Sequence, residues 1–383
     1  MVIRKAKRGW LVNIDLSEDE ELLKALAERF VSETYDMDSR RAFLAEQNGF
    51  SATNWKLLGE LGLIAAPFSA EAGGMDLNAT GIATLFEALG RGMVVEPLIE
   101  SVLLAGRLFA ATAAPSLRGA WLPDVVDGAR RLVFAHAEAK GRAGRLWVET
   151  RAQADGAGLR LTGAKAYVPA GSGADGYIVS ARTTGAPDDA TGLGLYFVPA
   201  GSPGLLVTPW RWADGGVAVS LTLSDVVVSP DHCLTGGTTE IAAVSQLANL
   251  ARCAEALGIM ERIFADTQDY LRTREQFGAR LASFQAIQHR MVAQYAAIEQ
   301  ARALLNRALV HDGMEPFARA VQGARAFISS ASVVLGHEMI QFHGGMGVTD
   351  ELAIGQGHKR LLVLSRWPDD PEVALDRFAG IEA

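Results

Sequence analysis

The spacing of apolar residues predicts helices, then strands, then helices. Leu22, Leu23, Leu26 and Phe30 recur at helical spacing behind a Ser17–Glu20 pair, the signature of a capping box. A second helical segment runs from Trp55 to Leu63 and stops at Gly62-Leu63, ahead of Pro67. Thr80–Gly90 and Glu100–Ala110 continue the pattern. From about residue 131 the period shortens to two. Val217, Val219, Leu221 and Leu223 alternate with small or polar residues, as do Leu146 with Val148 and Leu159 with Leu161. Asp155-Gly156 marks a tight turn between those last two runs. Tyr177–Ala181 and Leu195–Val198 are short apolar runs bounded by Gly and Pro. Helix then returns: residues 241–309 form long apolar-periodic stretches broken near Phe277-Gly278, and residues 316–343 form another. The pattern predicts an α+β chain of three parts, a helical domain over 1–130, a β domain over 131–235 and a helical domain over 236–383.

Composition narrows the function classes. With 49% hydrophobic and 21% charged residues, the chain buries a large core. A net charge of -8 argues against nucleic acid as a partner, which needs a basic surface. Cys233 and Cys253 are too few for a disulfide framework, so a reducing, cytoplasmic setting is expected. No apolar run approaches the roughly 18 residues of a membrane span. Met1–Trp10 carries Lys and Arg with no apolar run behind it, and reads as a loose extension rather than a signal peptide.

Three patterns mimic chemistry that the context does not support. Gly171–Gly176 fits G-x-G-x-x-G but leads into the strand-like Tyr177–Ala181, whereas a dinucleotide fingerprint opens a helix. It reads as a turn. His337-Glu338 begins like H-E-x-x-H, but Gln341 stands where the second zinc ligand is needed. Ser172 lies between glycines without forming a nucleophile elbow.

Two stretches carry a specific resemblance. They are Arg274-Glu-Gln-Phe-Gly278, continuing through Ala282-Ser-Phe-Gln285 to His289, and Gln341-Phe-His-Gly-Gly345-Met-Gly347. Leu61-Gly-Leu63, Pro67, Gly73-Gly74 and Leu223-Ser-Asp-Val226 add to it. The chain resembles the acyl-CoA dehydrogenase family from about residue 15 onward. Ile178–Thr183 and His358–Leu361 look most like its pimeloyl-CoA dehydrogenase small subunits. The resemblance implies an N-terminal helical domain, a central β domain and a C-terminal four-helix bundle that builds the oligomer. It also implies FAD as cofactor, an acyl-CoA substrate and an electron-transfer flavoprotein as electron acceptor. In the family the C-terminal motifs hold the ADP half of a FAD bound mainly to a neighbouring subunit. Residue by residue this is chemically apt. Arg274 offers a fork for pyrophosphate, Phe277 an apolar face, and Gln276, Gln285 and Gln341 hydrogen bonds. Gly344 and Gly345 allow close backbone approach.

The chain departs from the family where chemistry is done. The family reaction needs a carboxylate to take the α proton while a hydride leaves to flavin. Counted from Gly344, the position of that Glu falls on Pro368, so the catalytic residue is unassigned and Asp369 is the nearest fallback. Some relatives carry the base on an earlier helix, near Ala248-Asn249 here, and neither residue is acidic. Glu255 and Glu351 read as salt-bridged or solvated. The family's Thr-Glu pair beside the flavin ring corresponds to Ala137-Glu138, and its Trp-x-Thr to Tyr167-Val-Pro169, so both hydroxyls are lost. Ala139–Gly144 replaces the loop that follows that pair. The half of the site that serves a neighbour is present, and the half that serves this chain is eroded. The expected assembly is therefore a hetero-oligomer, in which this chain is a non-catalytic subunit completing the flavin site of a paralogous partner. A self-sufficient homotetramer with an unusual base, a flavin oxidase or monooxygenase on the same fold, and a non-enzymatic interaction subunit remain alternatives.

Overall fold

The structure is a computed structural model that describes residues 16–141, 146–156 and 158–381. The Met1–Trp10 extension and part of the Ala139–Gly144 loop lie outside the described residues. Helix α1 (Glu18–Thr34) opens with the expected capping box: Ser17 N donates to the Glu20 carboxylate at 2.8 Å, and Glu20 N to Ser17 Oγ at 3.3 Å. Its buried stripe is Leu23, Ala27 and Phe30, and Leu22, one residue off that stripe, is 61% exposed. Helices α2 (Met37–Ala45), α3 (Ala52–Glu60) and α4 (Ala79–Gly92) follow. The segment expected as helix from Glu100 begins as a π-helix, Ile99–Gly106, before α5 (Arg107–Thr112) and α6 (Pro115–Val126).

The β domain is one eight-stranded sheet. Its strands are β1 (Leu132–Ala135), β2 (Arg151–Asp155), β3 (Gly158–Pro169), β4 (Gly176–Arg182), β5 (Leu193–Pro199), β6 (Leu205–Arg211), β7 (Val217–Val228) and β8 (Cys233–Leu234). The order is β6-β7-β3-β2-β4-β5-β8, with β1 parallel to β4. Alternation along β7 buries Val219, Leu221 and Leu223 while Thr222 and Ser224 face out. One expectation fails: Leu146 and Val148 are not in a strand, and β2 begins only at Arg151. The reason lies in a side chain 11 and 12 positions earlier. The N–H groups of Glu149 and Thr150 donate to the Glu138 carboxylate, at 2.6 and 3.1 Å, instead of joining a ladder. The G-x-G-x-x-G run forms the turn into β4.

The chain then returns to helix with α7 (Thr238–Thr273), 36 residues long. A hairpin of β9 (Glu275–Gln276) and β10 (Ala279–Arg280) turns at Phe277-Gly278, where the period breaks. Helices α8 (Gln285–Leu309), α9 (Phe317–His343), α10 (Ala353–Arg366) and α11 (Pro371–Ala379) complete the C-terminal part. A continuous apolar core joins both helical regions, and the sheet carries a second core around Val179, Leu221 and Val226.

Helices α4 and α7 touch backbone to backbone. A Cβ on Gly90 would stand 2.4 Å from the Glu255 carbonyl oxygen, and one on Gly258 would stand 2.2 Å from that of Glu87. Close approach therefore requires glycine at both crossings. Gly258→Ala is expected to cost about 1–3 kcal/mol, as overpacking does, measured as a lower denaturant midpoint. An unchanged midpoint would mean that the two helices can part without loss.

Candidate functional site

Two adjoining cavities lie where the three parts meet. The first is a slot walled by the β domain, α7 and the α10–α11 turn, with an empty volume of ≈ 1000 Å³, open solvent included. The second is an inner chamber of ≈ 860 Å³ on the same measure, set among α4, the segment before the π-helix, α7 and α10. Glu100, Pro169, Arg252 and Trp367 line both, and so stand at the boundary the two cavities share.

The family's base position, Pro368, lines the slot and brings no ionisable group to it. Asp369 is 7% exposed, and both its oxygens are taken: Arg325 donates Nε–H to Oδ1 at 3.1 Å, and Arg377 donates to Oδ2. It is a clamp between α9 and α11. On α7, Ala248 is fully buried and Asn249 accepts from Arg252 at 3.1 Å. Glu255 pairs with Arg360 at 2.6 Å, and Glu351 is exposed.

The sheet's face toward the slot is aromatic where the family offers hydroxyls. Ala137 bridges to Tyr167. The Tyr167 ring lies 6.4 Å from Trp367 and 6.0 Å from Trp210, and Trp212 lies 5.5 Å from Trp367. The buried indole N–H of Trp367 has no partner among the described residues, at a cost of about 1–3 kcal/mol. Glu138 lines the slot but turns its carboxylate inward to Lys165 Nζ at 2.7 Å and Thr150 Oγ1 at 2.6 Å. Burial favours the protonated acid, but Lys165 and these hydrogen bonds outweigh it and hold Glu138 below the usual carboxylate range. Burial likewise pushes Lys165 down to about 8, opposed by Glu138.

The other expected cofactor residues stand elsewhere, and all are exposed. Arg274 caps α7, Gln276 and Phe277 occupy the hairpin, Gln285 starts α8, and Gln341, Gly344 and Gly345 close α9. Phe277 is 93% exposed at φ +54°, and a Cβ at Gly344 or Gly345 would meet nothing within 4 Å. Tyr270 stacks on His343 at 4.3 Å and joins the two motif segments into one outward surface. This surface is remote from the slot. Asn249 lines the slot and Arg274 caps the same continuous helix, so at about 1.5 Å per residue they stand roughly 37 Å apart.

Sequence reasoning missed the acidic lining of the chamber. Glu100 on the π-helix ion-pairs with Arg252 at 2.6 Å. Glu96 accepts from Tyr35 Oη and, at 3.3 Å, from Ser51 N, and burial pushes its carboxyl up to about 7. The available signal was two acids inside the otherwise apolar stretch from Val94 to Leu104.

Residues 17–129 match the acyl-CoA dehydrogenase N-terminal domain, and residues 237–376 match the acyl-CoA dehydrogenase C-terminal domain. The chain belongs to the acyl-CoA dehydrogenase family, whose members are flavoprotein oxidoreductases. Within it, the chain is similar to acyl-CoA dehydrogenase FadE27 of Mycobacterium tuberculosis, 28% identical over 87% of this chain and 88% of the relative. Among solved structures it is similar to a variant of the Tcur3481-Tcur3483 steroid ACAD, at 29% identity and TM-score 0.84, covering 95% of this chain and 97% of that one. It is also similar to the ChsE4-ChsE5 complex from Mycobacterium tuberculosis, at 26% and 0.87, covering 96% and 98%. The fold has been solved with cofactor, as in PigA with FAD and proline, at 22% and 0.87, covering 97% and 100%. No helix among the described residues is long and apolar enough to cross a membrane.

Two outcomes test the site's electrostatics. Asp369→Asn is expected to destabilise the chain by about 3–5 kcal/mol, because two guanidiniums lose their carboxylate; thermal unfolding reads this, and an unchanged melting temperature would free Asp369 for catalysis. Glu96 prefers its proton in the fold more than in the unfolded chain, so its contribution is complete below about pH 4.5 and lost as pH rises toward 7. Glu96→Gln is therefore expected to flatten the fall in stability over that window, by at most about 3 kcal/mol at about 1.4 kcal/mol per pH unit. Parallel stability–pH curves for both proteins would refute the assignment.

Proposed function

We propose that this chain is one subunit of an FAD-dependent acyl-CoA dehydrogenase, the non-catalytic subunit that completes the flavin site of a paralogous partner. The lack of a free carboxylate at Pro368 and Asp369 carries the non-catalytic part of the reading, and the separation along α7 supports the inter-subunit part. The Arg274–Gly278 hairpin and the Gly344-Gly345 turn stand too far from the slot to hold the same cofactor that would lie there, so they serve a neighbouring chain. FAD fits the two ends unequally. The outer surface offers a cation, amides and open glycine backbone for its ADP half. The slot offers the flavin ring no hydroxyl at Ala137 or Pro169, and no free carboxylate at Pro368 or Asp369. Hetero-complexes among the similar structures, ChsE4-ChsE5 and Tcur3481-Tcur3483, support a two-subunit assembly. Likeness to a pimeloyl-CoA dehydrogenase small subunit agrees with it.

In such an assembly bound FAD supplies the hydride acceptor, while this chain binds its ADP half and packs against the catalytic partner. The α proton of the acyl-CoA would pass to a carboxylate of the partner, and electrons would leave to an electron-transfer flavoprotein. The reading includes a cytoplasmic location, in keeping with free Cys233 and Cys253.

The test is the visible spectrum of the chain purified alone and after co-expression with a paralogous acyl-CoA dehydrogenase subunit. The expected result is a colourless chain alone and one FAD per pair of chains together. Arg274→Ala should lower that flavin content at least tenfold without dissociating the pair, since charge-assisted contacts to phosphate are among the strong ones. One FAD per chain in a homotetramer would overturn the proposal and point to Glu100, which lines slot and chamber alike, as base. Rapid reoxidation of reduced flavin by oxygen would instead favour an oxidase or monooxygenase. Failure to bind FAD in any combination would leave an interaction subunit.

A further inference from the structure

The inner chamber is built unlike a receptacle for plain hydrocarbon. Phe50, Phe86, Leu89, Leu98 and Ile99 give it an apolar body, but the charged Asp214, Glu255 and Arg360 line it too. Arg360 on α10 donates Nε–H and one Nη2–H to Glu255, and one Nη1–H to Asp214 at 3.1 Å. A guanidinium has five N–H donors. Two on Arg360 therefore lack a partner among the described residues. Asp214 and Glu255 keep only 5% and 8% of their side-chain surface accessible, whereas Arg360, which lines the chamber, keeps 29%.

The charge balance selects what those donors would meet. Arg40, Arg252 and Arg360 stand against Glu100, Asp214 and Glu255, three cations to three anions, and Arg40 lies close enough to feel Asp214, Glu255 and Arg360. Glu96 adds a carboxyl that burial pushes up to about 7, so that it is about half protonated at neutrality and becomes neutral below it. An anionic ligand would add an uncompensated buried charge, which is expensive. A cationic ligand would find each of those three carboxylates already paired. A neutral oxygen acceptor suffers neither penalty, and pairs with a donor that otherwise goes unused.

We propose that the chamber binds an apolar acyl group bearing a neutral keto or hydroxyl oxygen at its far end, recognised by Arg360, with the thioester end in the slot. This rests on the family reading of the slot and chamber as an acyl-CoA site. It holds whether or not this chain turns its ligand over.

The experiment uses the co-expressed pair of subunits, first confirmed to hold FAD, and non-oxidisable acyl-CoA thioethers of one chain length. Three probes are titrated calorimetrically: plain alkyl, terminal keto and terminal carboxylate. The expected result is two ligand sites per pair of chains. One of them prefers the keto probe to the alkyl probe by roughly tenfold or more, the worth of a hydrogen bond to a charged donor, and gains nothing from the carboxylate. Arg360→Lys in this chain alone should remove that preference. A single site per pair, no preference for the keto probe, or a preference that survives Arg360→Lys would each overturn the proposal. Should the variant not fold, stoichiometry and the wild-type probe series decide. Loss of flavin from the pair would be seen in its spectrum before any titration, so failure of the functional reading is recorded separately.

Discussion

Helix α7 is a rigid ruler, and the chemistry of the chain is arranged along it. An α-helix of 36 residues has a set length and direction, maintained here by close backbone packing against α4 at Gly90 and Gly258. Asn249 and Arg252 face the slot from its middle, Glu255 anchors Arg360 one turn later, and Arg274 ends it at the outer hairpin. The helix cannot fold back, so the slot and the outer hairpin stay apart within one chain. That separation is the geometric support for the inter-subunit cofactor site proposed above.

The slot has been rebuilt rather than emptied. Where the family reaction needs a carboxylate there is Pro368, between Trp367, which packs toward Tyr167 and Trp212, and Asp369, which is held by two arginines. Trp367 and Asp369, on either side of Pro368, both make structural contacts. The aromatic group packs the sheet against the α10–α11 turn, and the Asp369 clamp ties α9 to α11. The unpartnered indole N–H of Trp367 remains as a cost that a plain hydrophobe would avoid.

The chamber beside it keeps a charge-paired network in which Arg360 has donors to spare. Arg360, Glu255 and Asp214 connect α10, α7 and the turn before β7, so the β part and the C-terminal part of the chain meet in one cluster. Buried ion pairs are poor devices for net stability, because desolvation offsets much of their attraction. Their direction is what they contribute here: they hold α10 and the sheet in one register around the cavity.

Helical and strand periods, the capping box at Ser17 and the break at Phe277-Gly278 were legible because they are local properties of neighbouring residues. The motifs around Arg274 and Gly344 were legible for the same reason, as was the missing carboxylate at Pro368, since an absent side chain needs no coordinates. Other features depended on partners far along the chain. Leu146–Val148 looked like a strand until Glu138 captured the N–H groups of Glu149 and Thr150. Asp369 looked like a spare acid until Arg325 and Arg377 closed on it, and nothing local marks Glu100 and Arg252, 152 positions apart, as a pair. The sequence by itself determined the class of fold and the expectation, still a proposal, that the usual base is lost at Pro368. Only the tertiary structure decided which carboxylates are engaged, where the cavities lie and which arginine keeps donors to spare, because those properties are set by distances between residues that the chain alone leaves free.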